Sequence, residues 1–344
     1  MYTLGINLSH HSSIALLKDN EVVLFILEER LNRKKYCKTI PYECLKLVSE
    51  ITNQIDYLIV TSCSKENLHD IVECLKSSNV KVVRSNINNT DHHKFHAAAG
   101  FYMSQFDHAS CLVIDGAGSL TKFRPSDNIR ASETTSVYDV RFPNTFDCLY
   151  KNFTVGIYDS GLRFDSRMNV NISITEEDVR KFKKKFSNIK HLDVSTNTDI
   201  GFRYTIVSHL IGFPKMGGEG KTMGLSAYGP FQSDIKSKLA YEIQKQLEQT
   251  FLSRAEMCRD DNIVICGGCA LNILGNSLIK KKYPNKNIYI DPVAADCTNA
   301  LGAAALYFYT LSGCLDKLVF NPYGGPHYNL NKHYINELTR KYSI

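Results

Sequence analysis

No apolar run in the 344 residues reaches the ~18 needed to span a bilayer, which argues against a membrane-spanning helix. No signal-peptide architecture opens the chain either. Met1-Tyr2-Thr3-Leu4-Gly5 goes straight into a strand pattern, so a cytoplasmic, soluble protein is expected. There is no Gly/Ser-rich linker, no low-complexity tract and no strong period-length repeat. No Walker or dinucleotide fingerprint occurs, and no named nucleic-acid motif. A disulfide framework is also missing. The eleven cysteines are scattered and odd in number. Cys111 and Cys266 sit inside apolar strand patterns, where a free thiol behaves as a small hydrophobe. Reduced cysteine in a reducing compartment follows.

What is present suits a globular protein. The hydrophobic fraction is 43% and the charged fraction 22%, ordinary for a folded domain. The length suggests two lobes. The net charge of +6 is mild and collects in Arg30-Leu31-Asn32-Arg33-Lys34-Lys35, Lys181 to Lys185 and Lys280 to Lys282. The last two read as solvated helix faces. The second follows Thr175-Glu176-Glu177-Asp178, a helix start with acid at the positive dipole end. The first follows a strand directly and is a candidate for phosphate. Charge alone leaves nucleic acid open as a partner.

The first thirty residues read as a meander, with strands at Thr3 to Leu8, Ser12 to Leu17 and Glu21 to Leu27. Tyr57 to Val60 and Lys81 to Val83 add strands. Residues 1–110 are expected to form a first α/β lobe. Residues 111–330 are expected to form a second, with a less regular insertion at about 119–198 and a strand at Ser136 to Val140. From Ile200 the pattern recovers. Helices are expected at Ile200 to Ile211, Ala270 to Lys282 and Asn299 to Tyr309, and strands at Asn262 to Cys266 and Asn287 to Ile290. Residues 331–344 form a tail. Two lobes, each with a strand-to-glycine turn, suggest a duplicated fold with a nucleotide cleft between them.

His92 and His96 lie four apart, on one face of a helix, and Ala97-Ala98-Ala99 favours that helix. Such a pair can hold a divalent metal. Downstream, Ser110 to Ile114 reads as a buried strand ending in Asp115, a third hard ligand at a strand tip. Four glycine segments can bring backbone N–H groups to a phosphate. They contain Gly116 and Gly118, Glu219, Gly220 and Lys221, Gly267, Gly268 and Asn272, and Asp296 with Gly302. Gly267-Gly268 and Asp296 directly precede expected helices, whose N-termini favour anions. Cys266-Gly267-Gly268-Cys269 is set aside as a dithiol, since no second half-site exists. His10-His11 lies in a turn, where either imidazole can act as a base.

Several segments occur together in one order. They are Gly5-Ile6 with His10 and Ser12 to Leu17, Glu28-Glu29-Arg30 with Arg33 and Lys35, His92-His93 with His96, and Asp115-Gly116. Glu219-Gly220-Lys221-Thr222-Met223-Gly224-Leu225, Gly267-Gly268 with Ala270-Leu271-Asn272, and Asp296 with Ala300-Leu301-Gly302-Ala303-Ala304 follow. In that order they resemble the O-carbamoyltransferases of the nodulation and antibiotic-carbamoylation type, which include the tobramycin and cephalosporin enzymes. The resemblance runs from about residue 2 to about residue 329, ending at Gly325-Pro326 and Tyr328. It implies an α/β, actin/Hsp70/sugar-kinase-like (ASKHA) two-lobe fold, related to the universal tRNA threonylcarbamoyl-transfer proteins.

The resemblance further implies that His92, His96, Asp115 and Asp296 hold a metal, iron by analogy. Two nitrogens and two oxygens also suit Zn²⁺ or Mn²⁺. It implies that the metal meets the phosphate of carbamoyl-adenylate, that His10 is the base and that Lys35 is an active-site lysine. The expected reaction moves a carbamoyl group from carbamoyl-adenylate to a hydroxyl of a small-molecule or nucleoside acceptor. The donor comes from ATP and carbamoyl phosphate. Two departures stand out. His11 occupies a position where the family often has Asp. The C-terminal YrdC-like domain that makes carbamoyl-adenylate is absent from this sequence. A separate YrdC-like protein, a longer parent chain or another donor is then required. Rival expectations are threonylcarbamoyl-type transfer on tRNA, against which the Glu219 to Gly224 motif argues, and a non-catalytic nucleotide-binding partner. A kinase fits less well, because Mg-ATP prefers an all-oxygen site.

Overall fold

A computed structural model describes residues 1–61, 65–75, 81–84, 91–124, 129–157, 174–214, 217–231, 234–321, 336–337 and 339–341. The Gly325 to Tyr328 end of the family resemblance lies outside the described residues, as does most of the 331–344 tail.

Alternating and continuous apolar runs near the N-terminus make the first sheet. β1 (Tyr2–Asn7), β2 (Ser13–Lys18) and β3 (Glu21–Leu27) form the expected meander. A short helix α1 (Glu28–Asn32) and α2 (Tyr42–Ile51) follow. The first basic cluster therefore begins on a helical turn rather than directly on a strand. The buried Glu28 carboxylate caps α2 through the N–H groups of Glu43 and Cys44, at 3.2 and 3.0 Å. Then come β4 (Tyr57–Thr61), α3 (Lys65–Leu75) and β5 (Lys81–Arg84). The strand order is β3-β2-β1-β4-β5, with β1, β4 and β5 parallel.

The second sheet repeats the pattern. After α4 (His92–Ser104), β6 (His108–Ile114) leads into β7 (Leu120–Lys122), β8 (Ile129–Arg141) and β9 (Thr145–Ile157). Next are α5 (Glu176–Lys184), β10 (His191–Ser195), α6 (Ile200–Leu210), α7 (Glu219–Ser226) and α8 (Ile235–Ala255). β11 (Asn262–Cys266), α9 (Ile273–Lys282), β12 (Asn287–Ile290) and α10 (Thr298–Ser312) complete the described elements. The order is β10-β9-β8-β6-β11-β12, with β7 beside β8. The run β9-β8-β6-β11-β12 matches β3-β2-β1-β4-β5: an antiparallel meander on one side of the first strand, two parallel strands on the other. β10 is an addition at the outer edge.

The stretch 119–198 is a correction to the sequence reading. It carries β8 and β9, two strands of 13 residues each. Hydrophobic patterning found only the Ser136 to Val140 part of β8 and missed β9, and the rest of β8 was hidden because Ser132, Glu133, Thr134 and Thr135 are buried polar residues. The helix expected from Ala270 begins at Ile273, after a 3₁₀ turn at Gly268–Leu271. α5 starts with the expected capping box, Thr175 and Asp178 bonding reciprocally.

α4 and α10 form the middle layer between the sheets. Ala300, Ala303, Ala304 and Ala305 on α10 and Ala97, Ala98 and Ala99 on α4 are fully buried. Glycine sets the spacing. A Cβ at Gly302 would overlap the Phe95 carbonyl of α4, and one at Gly5 on β1 would overlap the Ala300 carbonyl of α10. Both helix N-termini therefore arrive at the same end of the interface. Among the described residues, no helix is long and apolar enough to cross a membrane. The ten described cysteines form no disulfide.

Candidate active site and metal centre

His92 and His96 occupy the first turns of α4, Asp115 ends β6, and Asp296 lies two residues before α10. Their ligand atoms lie within 4.8 Å of one another. His92 Nε2 is 3.2 Å from Asp115 Oδ2 and 3.6 Å from Asp296 Oδ1. His96 Nε2 is 3.7 Å from the same Asp296 oxygen. The other ring nitrogens meet Asn299 Nδ2 at 3.3 Å (His92) and Thr298 Oγ1 at 3.4 Å (His96). Asp115 Oδ1 accepts from the N–H groups of Gly116 and Gly268, at 2.8 and 3.2 Å.

The electrostatics favour a cation. Burial pulls His92 toward neutrality, but the Asp296 and Asp115 carboxylates outweigh it and hold the imidazole well above its ordinary pKa. Burial raises Asp115 and Asp296, and the bonds and charge of His92 bring both below the usual carboxylate range. His96 is fully buried, and its Nε2 has no hydrogen-bond partner. An orphaned imidazole nitrogen between two ionised carboxylates fits a divalent metal with mixed N/O preference.

The same Asp296 reaches a second group. Its Oδ2 accepts from Ser9 Oγ at 2.8 Å and lies 3.1 Å from His10 Nδ1. His10 is partly exposed and stacks near His11, with ring centroids 4.8 Å apart. His11 sits at φ 69°. Burial, then the His10 charge, lower its pKa.

A cavity of about 670 Å³ opens from these residues. His10, Asp115, Gly116, Glu219, Gly220, Gly268, Asn272 and Asp296 line it, and His92 and His96 lie beside it through Asp115 and Asp296. Four sequence candidates lie elsewhere. Lys35 is exposed on the loop after α1 and does not line the cavity. Its neighbour Tyr36 does, packing edge-on to His11 and over Gly217. Lys221 is exposed against Phe213, on the outer face of α7. Gly118 packs against the His93 ring, and Gly267, at φ 84°, against the Ile114 carbonyl, so both serve the turns. Asn272 combines lining with a structural duty, capping α9 through Gly275 N–H at 2.9 Å. Sequence reasoning missed the apolar wall made by Phe202, Tyr204, Met223, Leu247 and Leu271. These carry no signal that separates a cleft wall from ordinary core.

One buried network holds α4 in place. Asp91 gives no side-chain cap to this helix. Instead Ser119 Oγ accepts from His92 N–H at 3.2 Å, and Glu133 Oε2 accepts from His93 and Ser119 N–H at 3.5 and 3.3 Å. Lys151 pairs with the other Glu133 oxygen, and both side chains are buried. The donors of a helix start are thus satisfied from another element. His93, beside the metal candidates, faces the core and bonds Ser136 Oγ at 2.8 Å.

The sequence family described as Carbamoyltransferase N-terminus matches residues 46–246 and 232–305. An uncharacterised protein of Synechocystis sp. is 22% identical over 355 aligned residues, which cover 88% of this chain and 56% of that protein. Nodulation protein U of Azorhizobium caulinodans is 29% identical over 108 residues, 30% of this chain and 19% of that protein. Among solved structures, HypF from T. kodakarensis superposes with a TM-score of 0.53 at 13% identity, covering 93% of this chain and 49% of that one. Full-length HypF in its phosphate- and nucleotide-bound form gives 0.50 at 12% identity, covering 91% and 56%. At this identity they speak for fold alone, and the two-sheet architecture is the ASKHA fold expected from the sequence. The chain spans about half the length of the long relatives it matches.

Two predictions follow from the site. The metal-candidate face of α4 is buried, not an alanine-tolerant surface, so His92→Ala is paired with the near-isosteric Asp296→Asn. Both variants are expected to lose divalent metal in elemental analysis while keeping the wild-type circular dichroism. Full metal content in both would remove the assignment. For the supporting pair, Glu133→Gln leaves Lys151 buried without its counter-charge, and a loss of about 3–5 kcal/mol is expected in urea unfolding. Burial raises the Glu133 carboxyl, and the Lys151 ammonium more than offsets this, holding it below the ordinary range. The contribution of a group with a depressed pKa is present above its unfolded pKa and lost as pH falls through the folded one. The gap between wild type and Glu133→Gln should therefore close on acidification, and a pH-independent gap would count against the ion pair.

Proposed function

The chain belongs to the carbamoyltransferase N-terminus family, and from that premise we propose that it is an O-carbamoyltransferase acting on carbamoyl-adenylate. The supporting observation is the double use of Asp296, one oxygen toward His92 and His96, the other toward Ser9 and His10. A buried carboxylate 3.1 Å from Nδ1 orients the His10 ring and leaves Nε2 to face the cavity. His10 is then oriented to take the proton of an acceptor hydroxyl as it attacks the carbamoyl carbon. The bond from carbamoyl carbon to phosphate oxygen breaks, and AMP leaves.

His92, His96, Asp115 and Asp296 are the residues that would hold a divalent metal, whose positive charge stabilises phosphate and carbonyl oxygens. The protein's own part is positioning and exclusion of water. Phe202, Tyr204, Met223 and Leu271 supply an apolar wall to the cavity of about 670 Å³, and apolar surroundings strengthen the charge interactions beside them. Tyr36, from the first lobe, closes over Gly217 of the second and holds His11 away from solvent. Burial, then Glu219, raise the Tyr36 phenol, so it acts as a neutral donor. Carbamoyl-adenylate would come from a YrdC-like protein or domain, and the acceptor is a small hydroxylated molecule or nucleoside.

Single-turnover assays with synthetic carbamoyl-adenylate test this reading by release of AMP. Metal-loaded wild type is expected to release AMP in the presence of hydroxylated acceptors. His10→Ala should slow release by ~10²–10⁴, with unchanged nucleotide affinity by calorimetry. His11→Ala is the control, and loss in that variant alone moves the base by one residue. No AMP release from wild type would favour a non-catalytic nucleotide-binding subunit. A separate expectation concerns the donor. ATP plus carbamoyl phosphate should give little product until a YrdC-like protein is added. Robust turnover without that addition would refute the dependence.

A further inference from the structure

Behind the Gly116 turn lie two further hollows that the proposed chemistry does not use. A polar groove of about 920 Å³ runs between β10, the start of α6 and one side of α8. A small hollow of about 40 Å³, the neck, adjoins it on the side of the cleft. The neck shares Thr198 and Asp199 with the groove, and Gly116, Ala117 and Phe202 with the catalytic cavity. The three hollows are therefore neighbours that share wall residues.

The groove is lined by two arginines and two carboxylates. Arg203 and Arg254 both line it. Neither makes an ion pair among the described residues, and Arg254 Nε is buried without a hydrogen-bond partner. The Arg254 guanidinium lies over the Tyr150 ring, 4.9 Å from its centroid, which fixes its plane. The two carboxylates in the groove are already engaged. Asp193 Oδ2 accepts from Tyr150 Oη at 2.9 Å, and its Oδ1 faces His191 Nε2 at 3.3 Å. Asp199 Oδ1 accepts from Gly201 N–H at 3.3 Å, capping α6. Two guanidiniums with open forks suit a multi-oxygen anion such as phosphate. The amides of Gln246 and Gln249 beside them suit hydroxyl groups.

The neck has a different character. Thr134, Thr154, Thr196 and Thr198 surround it. At about 40 Å³ it is the tightest of the three hollows, against about 920 Å³ for the groove and about 670 Å³ for the cleft.

We propose that the groove and neck form the acceptor's entrance. The acceptor would be a phosphorylated polyol or sugar, with its phosphate held by Arg203 and Arg254 and a primary hydroxyl arm pointing through the neck. This role as an entrance rests on the O-carbamoyl-transfer reading, whereas the phosphate site stands on its own geometry. Carbamoylation of such an arm would add the carbamoyl group to its oxygen and pass the hydroxyl proton to the protein, with AMP as the other product.

Glucose 1-phosphate, which keeps its primary C6 hydroxyl free, is the probe, with glucose as the control. In the full chain, glucose 1-phosphate should shift the side-chain Nε–H resonances of Arg203 and Arg254 saturably, and glucose should not. Arg203→Gln and Arg254→Lys should each weaken binding by about tenfold or more, as expected for losing a charge-assisted bond. Arg254→Lys keeps the charge and the stem, so it tests the fork rather than the packing. No saturable shift at either arginine, equal shifts with glucose, or undiminished affinity in both variants would overturn the proposal. Because the readout is binding, it does not depend on catalysis. Saturable binding by a chain that never consumes carbamoyl-adenylate would keep the phosphate site and overturn the entrance role together with the transfer reading.

Discussion

The site depends on the close approach of α10 to α4. Two backbones touch there because Gly302 has no side chain and Ala303, Ala304 and Ala305 follow it. Asp296 precedes α10, and His92 and His96 open α4. Any widening of that contact would withdraw the carboxylate from both imidazoles. The helix pair is also clamped from outside, by Gly5 of β1 on one side and by Gly100 against Val264 of β11 on the other. Interiors at crystalline density do not deform smoothly. The metal candidates are therefore held by the middle layer of the fold, with ligands drawn from both halves of the duplicated pattern.

Electrostatics adds a second constraint. Two buried carboxylates and two imidazoles without an ion would carry a large desolvation cost. The Asp296 and Asp115 carboxylates offset part of it by favouring the charged form of His92. A divalent cation would take over that role and satisfy His96 Nε2 as well. Nearby, the Glu133–Lys151 pair adds no net charge to the site, yet it fixes the N-terminal amides of α4 from β8 and β9. A buried pair of this kind is weak as a source of stability. Its value lies in pinning the helix start, because His92 belongs to that same first turn.

Much of this was legible in the chain. The meander, the parallel strands and the helix at His92 follow from period and propensity. The four metal candidates were recoverable because strand tips and helix starts are where such groups converge, and the ordered motifs tied them together. What stayed hidden has physical reasons. β8 buries five consecutive polar residues, so that part of it carries no hydrophobic alternation. Lys35 and Tyr36 are adjacent, and only the left-handed turn at Arg33 and Tyr36, at φ 60° and 58°, decides which of them enters the cleft. Gly118 and Gly267 look like phosphate glycines in sequence and serve as packing glycines in space.

The two oxygens of Asp296 tie these levels together. Carboxylate geometry separates them by a fixed short distance, so a cation drawn toward Oδ1 also sets where Oδ2 points. His10 and Ser9 read that orientation from the first lobe, through a turn joining β1 to β2. The His10 imidazole and the cluster of candidate cation ligands are thereby referenced to one side chain rather than to two independently placed elements. The proposed base, His10, is therefore tied to the site across the lobes by one contact of 3.1 Å to Asp296, while the candidate ligands His92, His96 and Asp115 are carried by α4 and the end of β6.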